Sequence, residues 1–260
     1  MCIICIASPK GGVGKTTMAA NIAYAIQRLG HRVIVIDFDN QNAVRLHFGM
    51  PLSDSSGYVE FFHTKTDWSR LLKESDSGVR FLPYGRVSKH QIEAYEQKLR
   101  SDPDFLISRL QPLLNQPDTV IIADLPPGPS AALQALSLLE PMIINVLLAD
   151  SASLSVLPEI ESGEFYGESA KSRTYFLLNQ IDMRSQLNRE ITEFLNKRLS
   201  ASLLGIVHRD EAVPEANASQ TSVFRYARAS SVAADIDNIA RNIHRILPVL
   251  QASEYKKYNR

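Results

Sequence analysis

The segment Lys10-Gly11-Gly12-Val13-Gly14-Lys15-Thr16-Thr17 constrains this chain more than any other stretch. An apolar run from Cys2 to Ala7 precedes it and reads as a buried strand. After it, Met18, Ile22, Ala25 or Ile26 and Leu29 recur on one helical face, and Gly30 stands where that helix should stop. A strand, a glycine loop and a helix start in that order make a cradle for phosphate. Glycines let backbone N–H groups turn inward toward an anion, and the helix N-terminus adds partial positive charge. Lys15 can then reach the β- and γ-phosphates of a nucleotide, and the Thr16 hydroxyl can ligate Mg²⁺.

The rest of the chain alternates strand and helix patterns. Strands are expected at Arg32 to Ile36, Val79 to Leu82, Thr119 to Asp124, Met142 to Leu148, Tyr175 to Leu178 and Leu203 to Val207. Helices are expected at Gln91 to Leu99 and Phe105 to Leu114, broken at Pro103 and Pro112, and through Leu187, Ile191, Phe194, Leu195 and Leu199. Val232, Ile236, Ile239, Ile243 and Leu247 carry a long amphipathic final helix. Residues 44–78 mix polar turns with short apolar clusters and predict short helices. Such alternation implies a single-domain α/β fold over 1–252, with a mostly parallel twisted sheet covered by helices on both faces; with the phosphate loop at its start, the expected class is a P-loop NTPase. Residues 253–260 read as a basic, flexible tail. Ligands on such sheets sit at the carboxyl ends of the strands.

Acidic residues stand at those ends. Asp37 and Asp39 follow the second strand, one residue apart, where two carboxylates can serve a metal–water shell and an attacking water. Asp124 closes the run Val120-Ile121-Ile122-Ala123 as a Walker B acid does, accepting hydrogen bonds from Mg²⁺-bound water. Leu125-Pro126-Pro127-Gly128 follows; its prolines limit the loop, and Gly128 can donate an N–H near a γ-phosphate. Asn179 closes the Tyr175–Leu178 strand. His208-Arg209-Asp210-Glu211 follows the last strand, and the sequence places no partner for His208, so it is given no metal or general-base role.

The loop departs from the ordinary phosphate-loop pattern. Pro9 stands five residues before Gly14, where that pattern has glycine, and a second lysine, Lys10, opens the segment. KGGVGKTT resembles the deviant Walker A motif of the MinD/ParA family of ATPases. That resemblance implies ATP and Mg²⁺ as ligands, with Lys10, Gly11, Gly12, Val13, Gly14, Lys15, Thr16 and Thr17 around the phosphates. It implies a homodimer with ATP sandwiched between subunits, Lys10 reaching across to the other subunit's phosphates. In the family the first acid, here Asp37, holds Mg²⁺ through water with Thr16 and Asp124, and the second, Asp39, orients the attacking water. Asn179 would read the adenine edge. The family often has Ile-Pro before the residues that match Arg209 and Asp210; this chain lacks that proline.

Stretches between the motifs narrow the resemblance. Asp67-Trp68, Val79-Arg80-Phe81-Leu82-Pro83-Tyr84-Gly85, Ile206-Val207-His208-Arg209-Asp210-Glu211-Ala212 and Ser222-Val223-Phe224-Arg225-Tyr226 are similar to the branch of the family that serves bacterial cellulose synthesis, the BcsQ proteins. That branch implies a slowly hydrolysing ATP switch, cytoplasmic and recruited to the inner-membrane face. Its partners would be a small accessory protein of the cellulose secretion system and the cytoplasmic part of the cellulose synthase complex. The alternatives are a ParA-like DNA-partition ATPase and a MinD-like membrane-associated positioning ATPase.

Composition weighs against both alternatives. The 28 Lys and Arg balance 28 Asp and Glu, so no net basic footprint draws the chain to nucleic acid. The last residues, Glu254 to Arg260, have charge but only two tyrosines, too little apolar surface for an autonomous membrane anchor. No signal peptide is expected, because the chain starts directly with its first strand. Cys2 and Cys5 lie at an odd offset on opposite faces of that strand, with no further Cys or His pair to complete a metal site, and read as small buried residues.

Overall fold

β1 (Cys2–Ala7) is buried at every position, so a layer of structure must cover each of its faces. The computed structural model describes residues 2–258; of Pro103 and of residues 249–258 only the backbone is described. Cys2, Ile4 and Ile6 point into one core and Ile3, Cys5 and Ala7 into another, so the two cysteines do sit on opposite faces. Each fully buried isoleucine contributes roughly 1.5–3 kcal/mol.

β1 lies inside an 8-stranded sheet of order β3-β4-β2-β5-β1-β6-β7-β8. The partners are β2 (Arg32–Asp37), β3 (Lys73–Glu74), β4 (Arg80–Leu82), β5 (Thr119–Asp124), β6 (Met142–Leu148), β7 (Thr174–Ile181) and β8 (Leu203–His208). All neighbouring pairs are parallel except β3 with β4. The α/β class and the mostly parallel sheet therefore stand as expected. The short β3 was not anticipated: its two residues carry no period of their own, and only the antiparallel pairing with β4 makes them a strand.

One face is covered by α1 (Lys15–Arg28) and α10 (Ser231–Tyr258), whose Met18, Ile22, Ile26, Ile236, Ile239 and Ile243 share a core. α10 continues in backbone to Tyr258, across part of the stretch read as a tail. The other face carries α3 (Lys89–Ser101), α4 (Pro103–Leu114) and α5 (Ala131–Leu136), then α6 (Ser151–Ser162) and α7 (Gln186–Leu199). α3 starts two residues before the expected position because Ser88 and Gln91 form a capping box. Pro112 does not break α4, which runs on to Leu114. It stands near the end, where a missing N–H removes only one internal bond. α6 likewise contains Pro158, and with α5 it was not legible from periodicity.

Between β2 and β3 the chain forms α2 (Val44–His47) and two short 3₁₀ turns. This segment is held by aromatic packing rather than by regular elements. The Tyr58 and Trp68 rings stand 4.4 Å apart, and the Tyr58 hydroxyl meets that of Tyr95 on α3 at 3.2 Å. α8 (Ala212–Ala218) and α9 (Val223–Tyr226) follow β8 and fold back toward α1. Among the described residues no helix is long and apolar enough to cross a membrane.

Candidate functional site

The carboxyl ends of β1, β2 and β5 meet at one place because the strands run parallel and in register. Asp37 and Asp124 are partners across β2 and β5. Both are buried. The loop after β1 enters the same place, with Gly14 as the N-cap of α1 at φ 89. That left-handed conformation strains any residue with a Cβ, and a Cβ there would stand 2.5 Å from Asn179 Nδ2.

The α1 start presents Lys15 and Thr16 to the acids. Thr16 Oγ1 donates to Asp124 Oδ2 at 2.7 Å. The other oxygen, Asp124 Oδ1, is buried with no hydrogen-bond partner among the described residues. Asp37 accepts the backbone N–H of Asp39 at 3.0 Å and of Val44 at 3.2 Å, which ties the turn after β2 to the strand end. Burial raises the Asp37 pKa well above the usual carboxylate range, and Asp124 adds to the rise. Asp124 is raised by burial too, with the Thr16 bond and Lys15 opposing. Lys15 is lowered by burial, with Asp124 and Asp39 opposing. Two buried acids side by side, one of them with an orphaned oxygen and with Lys15 near only Asp124 and Asp39, form a site short of positive charge.

That donor set fits Mg²⁺. The ion takes oxygen ligands, keeps several waters and is bound through one or two carboxylates plus substrate phosphates rather than by an all-protein cage. Thr16, Asp37 and Asp124 supply one hydroxyl and two carboxylates. No group of three or more His, Cys, Asp or Glu that could hold a metal by itself converges among the described residues. Asp39 stands half-buried beside them, its Oδ1 accepting the Gln41 N–H at 2.9 Å.

Two expected contacts take another form. The Gly128 N–H donates to the Ser8 carbonyl at 2.8 Å, bracing the loop after β5 against the loop after β1. The Lys10 ammonium donates to Asp150, the N-cap of α6 in the same chain. Asp150 was missed in the sequence; its only signal is the aspartate before a serine-rich helix start.

Beside the phosphate loop opens a cavity of about 350 Å³. Gly14, Thr17, Asn179, Arg209 and Asp210 all line it, so the structure brings the base-side candidates together with the loop. Asn179 does not close β7 as expected. It lies within the strand, which runs to Ile181 through a register irregularity with Gln180 at φ 56. Its Nδ2 donates to the Val13 carbonyl at 2.7 Å. The Arg209 N–H donates to the Ile181 carbonyl at 2.9 Å, and Asp210 accepts from the Ala212 N–H and the Ser231 hydroxyl. Asn217, also missed, lines the same cavity with its Nδ2 3.4 Å from the Thr17 hydroxyl.

Comparison with known proteins agrees with this architecture. The family model described as cellulose biosynthesis protein BcsQ matches residues 1–243. The cellulose biosynthesis protein BcsQ of Salmonella typhi is 26% identical over 239 residues, covering 90% of each chain. An uncharacterised ATP-binding protein of Methanocaldococcus jannaschii is 30% identical over 240 residues, 88% of this chain and 82% of that one. Among solved structures, the septum site-determining protein MinD of Pyrococcus horikoshii, complexed with Mg-ADP, superposes with a TM-score of 0.74 at 20% identity, covering 95% of this chain and 98% of the other. The likeness to MinD shows that the two chains share a fold. The sequence match spans core and site alike, and by it the chain belongs to the BcsQ family of cellulose biosynthesis proteins.

Proposed function

We propose that this protein is an ATP-binding, slowly ATP-hydrolysing switch that dimerises around two nucleotides and supports the cellulose secretion machinery from the cytoplasmic face of the inner membrane. The observation that carries the reading is the Thr16–Asp124 bond with Asp37 in register beside it, at the mouth of a lysine- and glycine-bearing loop. When bound, Mg²⁺ neutralises charge on the nucleotide's phosphate oxygens. Thr16, Asp37 and Asp124 are the residues to hold it or its waters.

Phosphoryl transfer leaves the protein little covalent chemistry, so positioning and charge stabilisation dominate. Lys15 binds the β- and γ-phosphates. Asp39 orients the attacking water. Lys10 serves the partner subunit's phosphates once it leaves Asp150. The base occupies the cavity lined by Asn179, Arg209 and Asp210. Segments Asp37 to Ala43 and Asp124 to Ser130 are ordered by the γ-phosphate only while it is present. Surfaces beside them then exist mainly in the ATP dimer, where a small accessory protein and the cytoplasmic part of the cellulose synthase complex bind.

The test is deletion of the gene in its native host, complemented by wild type or Lys15→Ala. Cellulose secretion should fall on deletion and return only with the wild type, while nucleoids and septa stay normally placed. Normal cellulose with misplaced nucleoids would favour a DNA-partition role, and normal cellulose with minicells a septum-positioning role.

A further inference from the structure

His208 is the residue of the base cavity for which the sequence offers no partner, and the fold supplies one. α10 packs against β8, and Asp235 on its second turn meets the strand end. Asp235 Oδ2 accepts both the His208 backbone N–H at 3.0 Å and the ring Nδ1 at 2.9 Å. The Asp235 side chain is 19% exposed. His208 lines the same cavity as Gly14, Thr17 and Asn179, and its side chain is 44% exposed.

A carboxylate only accepts hydrogen bonds, so Nδ1 must carry the hydrogen. In the neutral ring Nε2 then bears the lone pair and can only accept. Nε2 has no partner among the described residues. The backbone bond to the same carboxylate oxygen removes the freedom by which the ring could turn over and exchange its two nitrogens. A purine held in this cavity therefore meets a fixed acceptor. Adenine offers a donor there, its 6-amino group; guanine offers O6, an acceptor.

We infer that His208 is a specificity-determining residue of the nucleotide site, its Nε2 accepting the adenine 6-amino hydrogen and rejecting guanine, and that Asp235 is the positioning residue that sets its tautomer. This rests on the proposed nucleotide function, since it needs the base in that cavity. It goes beyond Asn179, whose side-chain amide keeps both a free hydrogen and a carbonyl oxygen and so can serve either purine.

The test is the affinity of the full chain for Mg·ATP and Mg·GTP, by titration calorimetry, in wild type and in Lys15→Ala, His208→Ala, His208→Gln and Asp235→Ala. Thermal unfolding of each variant reports whether it folds. The wild type should prefer ATP. His208→Ala should weaken ATP by about tenfold, the scale of one directed hydrogen bond, and tighten GTP, since the acceptor that opposes guanine O6 is gone. His208→Gln offers an amide whose oxygen and nitrogen can each face the base, so it should bind both nucleotides and narrow the ratio. Asp235→Ala removes the acceptor that fixes Nδ1–H and frees the ring to turn over or change tautomer, so it should narrow the ATP-to-GTP ratio even with His208 present.

An unchanged ratio in His208→Ala, or an equal loss for both nucleotides, would overturn the inference while leaving the nucleotide function standing. If His208→Ala fails to fold, an ATP-to-GTP ratio unchanged in both His208→Gln and Asp235→Ala overturns the inference in the same way. Wild-type chain that binds neither nucleotide, or whose affinity is untouched by Lys15→Ala, would overturn the nucleotide function and this inference with it.

Discussion

Lys10 and Asp150 form an ion pair within one chain, across the rim of the phosphate loop. Asp150 also caps α6, accepting the Ser153 N–H at 2.8 Å. The lysine that the dimer would use in trans is thus held in cis by the start of a helix. Both side chains are about one-third exposed, and pairs of that exposure are worth little, about 0–1 kcal/mol. A phosphate from a second subunit can therefore displace the carboxylate at small cost.

Lys10→Ala should keep most of its nucleotide affinity and lose the ATP-dependent dimer. Asp150→Ala, which frees the lysine but leaves it in place, should dimerise at least as readily as wild type. Analytical ultracentrifugation with ATP reads both. A Lys10→Ala protein that still dimerises normally rules out the role across the interface.

Lys15→Ala should abolish nucleotide binding, because the substitution removes the buried cation beside Asp124 and Asp39. Fluorescent-nucleotide titration measures it. Unchanged affinity would take the phosphates away from this loop.

Asp39→Ala should bind ATP normally and hydrolyse it slowly, roughly 10²-fold or more below wild type, as expected for loss of a group that orients or deprotonates the nucleophile. The ATP dimer should then persist, since hydrolysis is what dissolves it. Phosphate release and dimer lifetime are measured together. Wild-type turnover would move the role to Asp37 or Asp124.

Gly14→Ala tests the loop as a shape. The backbone at φ 89 strains a Cβ by about 1–2 kcal/mol, and the added methyl would collide with Asn179 Nδ2. The expected result is a lower unfolding temperature together with loss of nucleotide binding. A variant that binds as tightly as wild type would show that the Val13–Asn179 contact can give way freely.

His47 predicts a pH dependence of stability. It is buried on α2 and burial lowers its pKa from 6.5 to about 4, with Asn217 opposing. Between those values the unfolded chain binds a proton that the folded chain does not. Stability therefore falls as pH drops from about 6.5 toward 4, by about 3 kcal/mol in all. Raised acids such as Asp37 and Asp124 act with the opposite sign, so the comparison must be internal. Urea unfolding of wild type and His47→Gln at pH 7, 5 and 4 isolates the effect: the two curves should converge as pH falls. Parallel curves would show that His47 does not carry it.

The phosphate loop, the strand ends and the final helix were legible in the sequence because each is written locally. Glycine positions, a run of Ile and Val closed by an acid, and a helical period of apolar residues need no distant partner to be read. Arg32–Asp37, Thr119–Asp124 and Met142–Leu148 are strands for that reason, and their parallel packing is what brings Asp37 level with Asp124. The contacts that crossed the chain were not legible. Lys10 finds Asp150 at a separation of 140 residues, and His208 finds Asp235 through the docking of α10. β3, α5 and α6 are short or contain proline, and only pairing and burial in the tertiary structure decide them. A side chain's type shows what it can bind; which partner it meets is decided by long-range packing, which no local pattern encodes.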